Sequence, residues 1–314
     1  MTLEKVLVTG GGGFIGSHLV DELVKLGAKV TVLDNFETGK IENLSGCLGR
    51  IRLVIGDVRS QSSLKVSLRD VDTVFHLAAI TSVPFSIEHP KVTDEVNFEG
   101  TMHLLEGCIR HKVERFILAS SSAVYGEPKY LPIDEGHPLN PISPYAESKV
   151  KAEEVCMRFR EDYGLKTTIL RPFNVYGPRQ RNDQYAGVIE KFIEYLRGAK
   201  PLVIYGDGSQ TRDFIYVADA VNAFILASKS DRAVGEIFNI ATGQPTSINS
   251  LAQLMIDISG VKGVVLQHAD AREGDIKHSY ANIEMARSLL LFEPKVQLKE
   301  GLSKLLRLKG LSKV

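Results

Sequence analysis

Tyr145 is followed four residues later by Lys149, in the run Ser143-Pro144-Tyr145-Ala146-Glu147-Ser148-Lys149. Positions i and i+4 of a helix share a face, so the lysine ammonium can lie beside the phenol and favour its ionised form. A free phenol titrates near 10 and is a poor base at neutral pH; each unit of lowering corresponds to about 1.4 kcal/mol. Supplying that lowering is the task expected of Lys149. Upstream, Ser120, Ser121 and Ser122 offer hydroxyls that can pass a proton between a substrate oxygen and the phenol. A serine run alone is more often a polar strand end; the Tyr-Lys pair downstream makes it a candidate site. Together with a glycine-rich turn at Gly10 to Gly16, these residues point to hydride chemistry.

That turn, Thr9-Gly10-Gly11-Gly12-Gly13-Phe14-Ile15-Gly16, satisfies both G-x-G-x-x-G and G-x-x-G-x-x-G. Glycines let the backbone approach a pyrophosphate, and the free N–H groups of the following helix, from Phe14 and Ile15 onward, favour its charge. A triphosphate-binding loop would need Lys followed by Ser or Thr, whereas Ser17 and His18 stand there. Asp34 ends the second apolar run, 21 residues after Gly13, where an acid accepts hydrogen bonds from the ribose hydroxyls and repels a 2′-phosphate; NAD is therefore expected over NADP. Asp57 is a weaker candidate on the adenine side, since Gly56-Asp57 also suits a plain turn. Asn35, Val58, Leu77, Ala78 and Ala79, beside the strand ends, complete the expected cofactor contacts.

Elements must carry these groups to one place. Lys5 to Thr9, Lys29 to Leu33, Ile51 to Ile55, Thr73 to Leu77, Arg115 to Ala119 and Thr167 to Leu170 are short apolar runs suited to buried parallel strands. Phe14 to Leu26, Thr93 to His111 and Pro144 to Tyr163 have helical spacing. The alternation predicts an α/β fold of Rossmann type, a doubly wound parallel sheet with right-handed crossovers. After Arg171, turn clusters such as Tyr176-Gly177-Pro178 and Gly206-Asp207-Gly208 interrupt shorter elements, predicting a smaller mixed α/β substrate-binding lobe. Val217 to Ala227 and Ile237 to Ala241 return to the sheet. The expected division is residues 1–173 plus 214–243 for the nucleotide domain and 174–213 plus 244–314 for the lobe.

Composition narrows the partners. Among 314 residues, 38 Lys plus Arg balance 38 Asp plus Glu, which argues against nucleic acid or an anionic membrane surface as partner. Cys47, Cys108 and Cys156 form no CxxC pair, so no metal or disulfide framework is expected, and a reduced, cytoplasmic setting fits. No membrane-length span or signal-peptide core is present. The leucines between Leu298 and Val314 predict a packed terminal helix with solvated lysines.

In combination, the TGGGGFIG turn, Ala119-Ser120-Ser121-Ser122-Ala123-Val124-Tyr125-Gly126, the Tyr145 run, Arg171-Pro172-Phe173-Asn174-Val175-Tyr176-Gly177-Pro178, Gly206-Asp207-Gly208 to Arg212-Asp213-Phe214, and Arg272-Glu273-Gly274-Asp275 resemble extended short-chain dehydrogenase/reductases. Within these the chain most resembles UDP-hexose 4-epimerases, over nearly its whole length. The resemblance implies that Tyr145 takes the 4-hydroxyl proton while hydride passes from C4 to NAD, that the 4-ketosugar turns over, and that hydride returns to its other face. It selects Ser121 as the hydroxyl, with Ser122 adjacent, and Tyr125 as wall. It also implies Arg212 and Arg272 at the UDP diphosphate, Asn174 beside them, the stretch Tyr185 to Ile189 including Val188 at the uridine, and Ser82 at the sugar, where a helix cap is the alternative. Related dehydratases and decarboxylases carry an acid directly after the catalytic hydroxyl; here Ser122 and Ala123 stand there. Epimerases restricted to unacetylated sugars place a tyrosine where counting from Arg272 gives Ser279, with Tyr280 displaced by one, so room for a 2-N-acetyl group is expected. The resemblance further implies a homodimer through the helices at 93–111 and 144–163. The nearer alternative is a 4-epimerase of a UDP-uronic acid or of another nucleotide's sugar; a non-catalytic NAD-binding regulator is the alternative from another class, and the intact Tyr145-Lys149 pair argues against it.

Overall fold

The computed structural model describes residues 4–183, 186–271 and 274–311. Its strands are β1 (Lys5–Thr9), β2 (Lys29–Asp34), β3 (Ile51–Ile55), β4 (Thr73–His76), β5 (Arg115–Ala119), β6 (Lys166–Pro172), β7 (Asn174–Tyr176), β8 (Leu202–Tyr205), β9 (Thr211–Tyr216), β10 (Ile237–Ile240), β11 (Pro245–Ser247), β12 (Leu266–Ala269) and β13 (His278–Ser279). Seven of them form one parallel sheet in the order β10, β6, β5, β4, β1, β2, β3. Chain order reverses between β1 and β4, and ligands of open parallel sheets bind at such a reversal, beyond the carboxyl ends of the strands. Thr9, Asp34, His76 and Ala119 all end strands on that edge.

The helices are α1 (Phe14–Lys25), α2 (Gln61–Ser67), α3 (Val83–Glu88), α4 (Pro90–Asp94), α5 (Gly100–His111), α6 (Pro144–Tyr163), α7 (Val188–Arg197), α8 (Val217–Lys229), α9 (Ile248–Ser259), α10 (Glu284–Leu290) and α11 (Leu298–Leu308). Leu19, Leu23, Val221 and Phe224 of α1 and α8 fill one face of the large sheet. Leu64, Leu104, Leu105, Val155 and Cys156 of α2, α5 and α6 fill the other. A separate core joins Phe192 and Ile193 to Leu251, Met255, Leu302 and Leu305, together with Ile204 and Phe214 from the small strands. Leu302, Leu305 and Leu306 of the terminal helix are thus packed inside, as their spacing required, while Leu308 is exposed.

One helix departs from its expected form. Residues 93–111 are not a single regular helix: the helical path starts at Pro90, and a wide, π-type turn spans Glu95–Glu99. That turn carries Asn97 inward, where its amide exchanges hydrogen bonds with the backbone of Ile80 and donates to Ser148 Oγ. One extra residue in a turn scarcely disturbs apolar periodicity, so the pattern alone does not reveal it. Among the described residues no helix is long and apolar enough to cross a membrane, and no cluster of three His, Cys, Asp or Glu could hold a metal.

Candidate active site

The cofactor half is made mostly of backbone. Gly10 lies in the left-handed region, at φ +69, and a Cβ there would meet Ala78 N at 2.7 Å. A Cβ on Gly16 would lie 2.1 Å from Gly10 O, so the first turn of α1 can seat itself on the loop only with glycine at that place. Gly13 caps α1 with no side-chain bond, and the first turn holds no acid, which leaves the N–H groups of Phe14 and Ile15 for an anion. This cradle fits a dinucleotide pyrophosphate.

Asp34 is buried at the end of β2. Its carboxylate accepts from Gly12 N and Phe36 N, each at 2.8 Å, and so braces the loop against the strand. Burial pushes its pKa up against these two amides. Each oxygen keeps a second lone pair for a ribose hydroxyl. Asp57 is held ionised, at a pKa of about 2, chiefly by Arg59, and it also accepts from Asn35 Nδ2 at 3.0 Å. Val58 beside it is buried. Leu77, Ala78 and Ala79 run on from β4 opposite Gly10, with Ala78 N donating to Thr9 Oγ1.

The reacting half is built on α6. Ser143 caps its start by accepting from Ala146 N, Pro144 opens the first turn, and Tyr145 and Lys149 are both buried. Ser121 faces the Tyr145 phenol and favours its ionisation. Its Oγ also accepts from Ala123 N at 3.1 Å, which leaves the hydroxyl hydrogen free to point toward the phenol. Ser122 opens the one-turn 3-10 helix that Ser121 caps. Ser120 donates instead to Glu153. Of the three neighbouring hydroxyls, Ser121 is the one whose influence on the Tyr145 phenol favours ionisation.

The expectation for the phenol's acidity needs correction. Burial holds Tyr145 above its ordinary pKa, and the opposing influence is Ser121 rather than Lys149. Lys149 Nζ donates to Ala119 O at 2.9 Å, and burial lowers its own pKa to about 8 while Glu153 opposes the fall. Desolvation outweighs the i, i+4 relation because the ammonium is turned to the end of β5. Tyr125 is walled in as expected, donating to Asn239 Oδ1 and accepting from Arg171.

Of the residues expected at the sugar nucleotide, Arg212, Ser279 and Asn174 lie on the smaller strands. Arg212 on β9 donates to Thr211 O and, at 2.5 Å, to Asp275 Oδ1; burial lowers its pKa, with Asp275 and Glu127 opposing. Ser279 on β13 is buried and paired beside Arg212. Asn174 starts β7, paired with Phe214 of β9, and Val188 starts α7. Ser82 caps α3 by accepting from Phe85 N, the alternative role considered for it. Arg272 and Tyr185 lie outside the described residues. Sequence reasoning passed over Glu153, Arg171 and Asn97 as site residues; the continuation of the four-residue spacing from Tyr145 and Lys149 to Glu153 was the available signal.

The NAD dependent epimerase/dehydratase family model matches residues 6–241. The chain belongs to that family. The glycine cradle, Asp34 and the Tyr145 centre lie within the match, and the protein is an NAD-dependent enzyme. It is 40% identical over 301 residues to a putative UDP-glucose 4-epimerase of Methanocaldococcus jannaschii, covering 95% of this chain and 96% of that one. It is also 40% identical over 255 residues to the UDP-N-acetyl-alpha-D-glucosaminuronate decarboxylase of Bacillus cytotoxicus, covering 80% and 78%. Its fold matches the solved UDP-N-acetylglucosamine 4-epimerase of Methanobrevibacter ruminantium M1 with a TM-score of 0.93 and 40% identity over 98% of both chains.

Proposed function

We propose that the enzyme inverts C4 of UDP-hexoses, interconverting UDP-N-acetylglucosamine with UDP-N-acetylgalactosamine, and UDP-glucose with UDP-galactose, through a transient 4-keto sugar. The observation that carries this reading is Ser121 set against Tyr145, with Ser122 and Ala123, not an acid, in the next two places. The family resemblance places a side-chain acid there for elimination or decarboxylation; epimerisation at C4 needs only a proton acceptor that can return what it took.

In this reading Tyr145, once ionised, takes the O4 proton directly or through Ser121 and gives it back after the ketone has presented its other face. Lys149, its pKa lowered by burial to about 8, remains mostly charged at pH 7 and holds the end of β5 through Ala119 O. Bound NAD supplies the acceptor and then the donor of the C4 hydride. Arg212 and Arg272 take the diphosphate, Asn174, Val188 and Tyr185 approach the nucleotide, and Ser82 lies toward the sugar. The small Ser279 beside Arg212 leaves room for the 2-N-acetyl group. The same reading includes a homodimer through the 93–111 and 144–163 helices, for which light scattering should return twice the chain mass.

The test is incubation of purified protein with UDP-glucose, UDP-N-acetylglucosamine and the corresponding UDP-uronic acids, without added NAD, followed by separation of products. C4 epimers of the two neutral pairs are expected. A UDP-pentose or a dehydrated sugar would replace this reading with decarboxylation or elimination, and epimerisation of the uronic acid alone would change the substrate. Ser279→Tyr should then lose the acetylated pair selectively in kcat/KM; an unchanged ratio removes Ser279 as the gate.

A further inference from the structure

Three residues of α6, spaced by four, grip three consecutive residues at the end of β5. Tyr145 is faced by Ser121, Lys149 Nζ donates to Ala119 O, and the Glu153 carboxylate accepts from Ser120 Oγ. Residues i, i+4 and i+8 form one stripe of a helix, so the whole grip comes from a single face. Glu153 does not stand alone. Arg171, near the end of β6, donates through Nε at 2.9 Å and through Nη2 to the other oxygen, a two-pronged ion pair whose side chains are 3% and 5% exposed. Arg171 Nη1 continues to Tyr125 OH at 2.9 Å, and Tyr125 to Asn239 on β10. A buried carboxylate held by three hydrogen bonds from two residues is costly to move, since any displacement strands a charge or a donor in a dry interior.

We propose that Glu153 is a positioning residue of the reacting centre: through Ser120 it fixes the backbone at the end of β5 and thereby sets the Ser121 hydroxyl against Tyr145. This role rests on the Ser121 and Tyr145 assignment above. Ser120 touches neither phenol nor sugar in it; its hydroxyl is the link between an anchored carboxylate and the residue that follows. A hydroxyl displaced by an ångström costs one to two orders of magnitude in a proton-transfer geometry.

The primary variant is Ser120→Ala, which removes the link yet leaves the Glu153–Arg171 pair closed, so that folding is spared. Its kcat should fall about 10- to 100-fold with the UDP-sugar KM within about twofold of wild type. In a Ser121→Ala background the same change should cost less than about twofold, because the residue being positioned is gone. Full activity in Ser120→Ala, or an equal loss in both backgrounds, overturns the proposal. A crystal structure of Ser120→Ala gives a readout independent of turnover. Displacement of Ser121 Oγ relative to Tyr145 OH supports the link, and an unmoved Ser121 refutes it even if the wild type proves inactive on every UDP-sugar, the result that would instead sink the functional reading. Glu153→Gln, if it folds, should reproduce the Ser120→Ala kinetics; a folded Glu153→Gln with wild-type kcat also refutes the role.

Discussion

The two ends of the proposed site are made of different material. At the end proposed for the cofactor the groups are mostly backbone: a left-handed Gly10, a Gly16 that allows no Cβ and uncapped amides at the start of α1, with the Asp34 carboxylate braced on two loop N–H groups. At the end proposed for the sugar they are side chains on short strands, with Arg212 held by Asp275 and Ser279 lying beside it. A backbone site depends on sterics that tolerate almost no substitution, whereas a side-chain site can change its ligand by exchanging one residue. The contrast fits a family that keeps its cofactor and varies its sugar.

The sharpest way to break that contrast is Gly16→Val. With Gly10 O only 2.1 Å from where a Cβ would lie, the turn must open, and we expect loss of copurified NAD together with all turnover; a variant that retains NAD in its absorbance spectrum would show that the cradle is adaptable. Next in size, Tyr145→Phe should lower kcat by about three powers of ten or more while UDP binding by calorimetry stays near wild type, since only the proton path is removed. A near-normal rate would move the base elsewhere. Arg212→Leu should act at the other end alone, raising the UDP-sugar KM about 10- to 100-fold with NAD content unchanged, the scale of one or two charge-assisted hydrogen bonds. Loss of NAD in that variant would mean that the two ends are not separable.

The smallest expected effect concerns stability at the cofactor end. His76, ending β4, is fully enclosed; its Nδ1 meets Thr9 Oγ1 at 2.7 Å and its Nε2 meets Thr101 Oγ1 at 2.9 Å. Burial, with a contribution from Lys149, lowers its pKa to about 3. The unfolded imidazole therefore binds a proton that the folded one refuses, and stability present above pH 6.5 is lost as pH falls toward 3. Between pH 7 and 5 this one group should remove about 2 kcal/mol from the unfolding free energy measured in denaturant, and His76→Gln should flatten that slope. An identical slope in both proteins would assign the acid sensitivity to other groups.

Much of the sheet was legible because buried parallel strands are short apolar runs, and Lys5 to Thr9, Ile51 to Ile55 and Arg115 to Ala119 match to the residue. The glycine turn and Asp34 were legible for a related reason: local sterics and local charge act within a few residues, and their chemistry follows from residue type and spacing. The wide turn that directs Asn97, the bond of Ser120 to Glu153, and the raised pKa of Tyr145 were not. Each depends on what a side chain meets across the fold: Asn97 meets Ser148, Ser120 meets Glu153, and Lys149 meets Ala119 O instead of the phenol. By itself the sequence determined which groups are available and roughly along which edge they gather. Only the tertiary structure decided what Ser120 and Lys149 bond to and how far burial opposes ionisation of the phenol, because hydrogen-bond partners and desolvation are set by neighbours distant in sequence.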